Sequence, residues 1–226
     1  MPSQPRLFNT RLHYHVYNRG VEKRSIFETP RDYQRFLDIL HFYLHDQKIP
    51  FTDFERLTKE NRAEYLKTVP RTFETRRVHI ICQCLMPNHF HLLLKGARYN
   101  GVSVFLSDIS NSHTRYFNIK HERVGHLFQG KFKSKEISDE GSLFQVSQYI
   151  HINPIPAGLA KKPEDYPYSS YKTWIGRGKS SLLSLGLIFK WVKKFGGPKK
   201  YREFVEAKIG QKHRDIQRGI ENLVLE

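Results

Sequence analysis

The chain has 226 residues, 38% of them hydrophobic, and carries 38 Lys and Arg against 22 Asp and Glu. That length suffices for one domain with a full core, and the net charge of +16 points to a polyanionic partner, nucleic acid before any other. Its two cysteines, Cys82 and Cys84, exclude a disulfide framework; with no apolar signal region and no run near the ~20 apolar residues of a membrane span, a soluble cytoplasmic protein is expected.

In chain order, Leu12 to Asn18 is aromatic and β-branched and reads as a first strand, closed by the turn signal Asn18-Arg19-Gly20. Thr29-Pro30 is a helix start, and Tyr33, Phe36, Leu37, Leu40 and Leu44 follow at helical spacing. Residues 46 to 77 are polar and charged and look like an insertion, with a short helix over Thr58 to Leu66. Val78 to Met86 is a second strand, Pro87-Asn88 a two-residue turn, and His89 to Leu94 a third strand running back, which sets Cys84 opposite His91.

Gly101 to Lys120 is a helix with Val104, Phe105, Ile109, Ser112 and Tyr116 on one face. Gly125 to Lys135 alternates basic and apolar residues, as a strand with one cationic face would. A helix over Gly141 to Ile152 stops at Asn153-Pro154, since proline disfavours a helical residue before it. From Lys161 onward 15 Lys and Arg face seven Asp and Glu, with helical character after Ser181 and glycine-marked loops at 176–178 and 196–198. Strands and helices interleave with hairpin-like pairing, so the expected class is α+β with an antiparallel sheet.

The chemistry centres on His89-Phe90-His91. Residues at i and i+2 of a strand share a face, so the two imidazoles project together and make half of a metal site. Tyr149 and Asn153 stand four apart on the following helix and share a face there; the two histidines and the amide oxygen form a metal-ligand set with a phenol beside it. A free tyrosine has a pKa of about 10, so its attack on a phosphodiester gains from a cation that polarises the phosphate. Each piece also has a plainer explanation: an incidental His-x-His, a core tyrosine, an asparagine ending a helix. A zinc site joining Cys82 and Cys84 to the histidines is a further option.

The sequence resembles the single-tyrosine HUH transposases of the insertion-sequence-200 type, and more closely the REP-associated tyrosine transposases of bacteria. The likeness rests on His15 to Gly20, Phe36-Leu37, Leu85-Met86-Pro87-Asn88-His89-Phe90-His91-Leu92-Leu93-Leu94, Phe128 to Ser134, Tyr149 to Pro154 with Ala157-Gly158-Leu159, and Tyr166-Pro167-Tyr168-Ser169-Ser170-Tyr171. It covers residues 10 to 175; the segment 176–226, a basic and helical extension, lies beyond it, and the 46–77 insertion departs from the compact family pattern.

The resemblance implies a ferredoxin-like or RRM-like fold and a metal-dependent endonuclease and strand transferase. Such an enzyme cuts single-stranded DNA next to a hairpin with Mg²⁺ or Mn²⁺ and forms a 5′-phosphotyrosine. It implies Tyr149 as nucleophile, His89 and His91 as metal ligands and Asn153 as the third. It also implies a place at the bacterial nucleoid, with relatives working as homodimers or as monomers. Arg19, Arg115, Tyr116, Lys131, Lys133 and Lys135 are the DNA-contact candidates, and the Tyr166 to Tyr171 cluster is a candidate stacking surface. The alternative is a non-catalytic, domesticated nucleic-acid-binding protein.

Overall fold

A computed structural model describes residues 8–211, Phe73 excepted. Four strands, β1 (His13–Arg19), β2 (Val78–Met86), β3 (His89–Gly96) and β4 (Lys133–Ile137), pair antiparallel in the order β2-β3-β1-β4. Helices α1 (Pro30–Phe42) and α4 (Gly101–Lys120) fill the two crossovers. This is the β-α-β-β-α-β arrangement of ferredoxin-like proteins, so the α+β, antiparallel-sheet expectation holds. The β2–β3 turn is Pro87-Asn88 as expected, with Met86 opposite His89 and Cys84 opposite His91. Its proline is tolerated because the Pro87 carbonyl accepts the Ile26 and Phe27 amides, while the Asn88 carbonyl accepts from Gly20.

The Phe90 face of the sheet is the apolar one. Phe90 meets Phe36 of α1 at 5.3 Å between ring centroids, and Phe36 meets His113 of α4 at 5.0 Å. Helix α1 begins with a capping box between Thr29 and Asp32. Asp32, fully buried, also accepts from Tyr116 Oη at 2.7 Å and from Lys120 Nζ at 2.8 Å, which ties α1 to α4. The buried face of α4 runs through Val102, Phe105, Leu106, Ile109, Ser112, His113 and Phe117. It is turned from the expected one: Val104 is exposed, and Tyr116 is only partly covered.

The 46–77 segment holds two helices where one was expected, α2 (Phe51–Arg56) and α3 (Lys59–Thr68). Phe51, Phe54 and Tyr65 gather on Phe42 of α1, and Arg35 bonds Glu55 at 2.8 Å. The strand expected over 125–135 is corrected to 133–137. Leu127 and Phe128 are adjacent yet both buried, which breaks the period of two; the Leu127 carbonyl instead accepts the Val21 amide and the Gln129 amide donates to the Arg19 carbonyl.

The other face of the sheet carries α5 (Glu140–Ile152), whose N-cap Asp139 accepts the Ser142 amide at 2.9 Å. Three helices follow: α6 (Tyr171–Trp174), α7 (Leu185–Phe195) and α8 (Pro198–Glu206). The part of the basic extension beyond residue 211 lies outside the described residues. Residues 168–170 pair along the edge of β2, with Leu85 N on Tyr168 O and Ser170 N on Gln83 O, both at 2.9 Å. This corrects the stacking role given to the tyrosine cluster. Tyr166 is buried with its hydroxyl on the Leu85 carbonyl, Tyr168 stacks on Tyr33 at 3.7 Å, and Tyr171 is buried with its hydroxyl on Glu206.

A buried polar chain anchors α5. Tyr201 Oη of α8 donates to Ser147 Oγ at 2.9 Å and sits 2.7 Å from His151 Nδ1, while His151 Nε2 lies 2.8 Å from Ser170 Oγ. Burial lowers the His151 pKa to about 3, so the ring is neutral and offers one donor and one acceptor.

Two outcomes follow from these networks. Burial raises the Asp32 pKa, but the hydrogen bonds from Lys120, Tyr116 and two backbone amides outweigh it and hold the carboxyl well below the usual range. The stability this gives is full above about pH 5 and lost as pH falls, because the unfolded chain takes the proton first. Asp32→Asn should cost about 2–3 kcal/mol at pH 7 and flatten the acid limb of stability against pH in urea titrations. Tyr201→Phe should lower stability by about 1–3 kcal/mol in the same assay, since it strips a buried imidazole and a buried hydroxyl of their partner.

Candidate active site

Alternation along β3 sends Phe90 to the α1–α4 layer and both His89 and His91 to the α5 side. The register then sets their neighbours: His91 stands between Cys84 and Tyr17, and His89 between Met86 and Arg19. The two histidine rings lie 4.8 Å apart and nearly perpendicular, at 88°. Tyr149, 7% exposed on α5, places its ring 5.3 Å from that of His91, edge to face. The strand pair and the helix tyrosine therefore meet. Asn153 ends the same helix one turn on, 1% exposed, with its amide on the Tyr149 carbonyl at 3.1 Å.

Two residues join this group that the sequence did not single out for it. His15 of β1 stacks on His91, 5.1 Å between centroids and 26° between planes, with Nε2 2.9 Å from His91 Nδ1. It also meets the edge of Tyr149 at 5.9 Å. Burial, and then the charge of Lys135, lowers the His15 pKa to about 3. Asn88 places Oδ1 2.6 Å from His89 Nδ1. The signal for His15 was its strand, His13-Tyr14-His15, which repeats the His-x-His alternation; its value appears only once β1 is known to lie beside β3.

The donor set suits a divalent cation. An asparagine oxygen only accepts, so this bond places a proton on His89 Nδ1. His89, His91 and Asn153 would supply two imidazole nitrogens and an amide oxygen. Among the described residues no group of three or more His, Cys, Asp or Glu side chains is placed to hold a metal ion. Cys82 and Cys84 are fully buried, and burial pushes both thiols up, away from the thiolate that zinc needs.

The basic candidates divide between the two layers. Pairing places Lys133 beside Tyr17 and Lys135 beside His15, and with Arg19 beside His89 this makes a cationic border on the histidine face. Lys131 precedes the strand and is exposed, next to Gly130, whose carbonyl accepts from Asn18. Arg115 and Tyr116 belong to α4, on the far side of the sheet. Arg115 lines a cleft of about 370 Å³ with Tyr43, Gln47, Arg77 and Asp108. Tyr116 is engaged by Asp32 and lies under the Arg35 guanidinium at 4.2 Å. That cleft lacks any nucleophile set against a base or ligand pair, so its size does not make it the reactive centre.

Comparison with known proteins fits this geometry. The family of IS200-like transposases matches residues 54–153, which span β2, β3 and α5 with His89, His91, Tyr149 and Asn153. A Haemophilus influenzae protein named "Putative REP-associated tyrosine transposase" is 24% identical over 118 residues, 48% of this chain and 67% of that protein. The solved structure of a REP-associated tyrosine transposase bound to a REP hairpin superposes with a TM-score of 0.52 at 16% identity, over 80% of this chain and 90% of that one, and so shares the fold. Over residues 54–153 the chain is thus similar to the IS200-like transposases, and in sequence and in fold it is similar to proteins named REP-associated tyrosine transposases.

Proposed function

We propose that the protein nicks and rejoins single-stranded DNA next to hairpins, with Tyr149 as nucleophile. The observation that carries this is the Tyr149 ring lodged against His91, 5.3 Å away, with His89 4.8 Å beyond. The hairpin named for the solved relative is the substrate class this reading extends to the present chain.

In the reaction the Tyr149 phenol gives up its proton and its oxygen attacks the phosphorus. The bond from phosphorus to the 3′ oxygen breaks, that oxygen takes a proton, and the 5′-phosphate stays on the tyrosine. Attack by the 3′-hydroxyl of a second strand reverses the step and restores the phenol. Mg²⁺ or Mn²⁺ held by His89, His91 and Asn153 would supply polarisation of a non-bridging phosphate oxygen. Arg19, Lys133 and Lys135 border the same face and neutralise the strand as it enters. The reaction takes place on the DNA of the bacterial cytoplasm.

Incubation with hairpin-bearing single-stranded DNA and Mn²⁺ should give a covalent adduct on denaturing gels, and Tyr149→Phe should abolish it. An adduct that survives this change removes Tyr149 from the role. Lys133→Ala with Lys135→Ala should weaken binding and reduce the slope of log affinity against log salt by about 0.7 for each phosphate that is no longer neutralised. Fluorescence anisotropy at several salt concentrations measures both.

A further inference from the structure

The bond between His15 and His91 is a buried polar contact of the site that the function derived so far leaves unused. Both rings are buried, 3% and 4% exposed, and they stack with Nε2 of His15 2.9 Å from Nδ1 of His91. Two neutral imidazoles share one proton across such a contact, so one ring donates and the other accepts. The direction decides what His91 can do. If His15 donates, His91 carries its own proton on Nε2 and has no lone pair there. If His91 donates from Nδ1, its Nε2 becomes a ligand nitrogen.

Asn88 sets the precedent within the same site, since its oxygen forces the Nδ1–H form on His89. Ligand histidines are commonly fixed this way by the partner of the second ring nitrogen. We infer that His15 is a positioning residue: it accepts the Nδ1 proton of His91, fixes that ring in the tautomer that presents Nε2, and so matches His91 to His89. The inference rests on the metal-site reading of the His89–His91 pair. His15 lies on a different strand and outside the stretch matched to the IS200-like family.

The test uses the full chain, stripped of metal and free of DNA. Nitrogen-15 NMR of the imidazoles, with His91 assigned by comparison with His91→Gln, should show His91 in the Nδ1–H form. His15→Leu should shift that ring toward Nε2–H, and His15→Gln, which restores an acceptor, should return it. Mn²⁺ affinity, read by electron paramagnetic resonance, should fall by about 10- to 100-fold in His15→Leu and recover in His15→Gln. An Nε2–H form in the wild type overturns the assignment, whatever the variants do. So does a His15→Leu protein that keeps both the wild-type tautomer and the wild-type Mn²⁺ affinity. Wild-type protein that holds no Mn²⁺ would instead sink the metal-site reading, while the metal-free spectrum would still decide the proton's place.

Discussion

The pleat of β3 divides this molecule in two. Phe90, Leu92 and Leu94 turn one way and build the wall on which α1 and α4 pack; His89 and His91 turn the other way and meet α5. A shift of pairing by one residue would exchange these faces, burying imidazoles among phenylalanines and sending Phe90 to the phenol. The fold therefore protects the register from several sides. Leu92 and Leu94 are fully buried, the Pro87 and Asn88 carbonyls are bonded by the loop after β1, and β1 pairs along the whole of β3. The histidine face and the core are set by the same strand, so the apolar half keeps the histidine half in place.

The polar half is built differently. Its bonds are directional: His15 to His91 and Tyr201 to His151 and Ser147 are buried, and Asn88 to His89 is half-buried. Buried polar groups cost stability unless each finds its partner. The return is definition, because a hydrogen bond fixes ring rotation where packing alone leaves it loose. The tyrosine on α5 is set in the same way, through a helix whose far side is fastened to the chain that follows it.

Much of this could be read from the residues themselves. The apolar runs within 78–94, the proline–asparagine turn and the stop before Pro154 each reflect local chemistry, and they led to the hairpin, to α5 and to the meeting of His89, His91 and Tyr149. What escaped depends on distant partners. His15 gains its meaning only from the strand order, which places β1 beside β3. The tyrosines of 166–171 look like a stacking surface until the edge of β2 is seen to need covering. Phe51 and Phe54 read as stray aromatics in a polar stretch, yet they close a cluster on Phe42. The basic alternation after Gly125 mimicked a longer strand because period alone cannot distinguish a strand from a loop that buries two neighbours.

The bonds that run from α8 to α5 have a bearing on how such a gene can change. Gln148, the residue just before Tyr149, donates to the Phe204 carbonyl, and His151, two residues after it, reaches Tyr201. Tyr149 is thus bracketed by attachments to a helix that begins more than forty residues downstream. A frameshift or early stop between α5 and α8 would leave the histidine pair and the tyrosine in the product and yet release the helix that carries the phenol. A gene carrying such a lesion would still encode His89, His91, Tyr149 and Asn153 while having lost the support that holds α5.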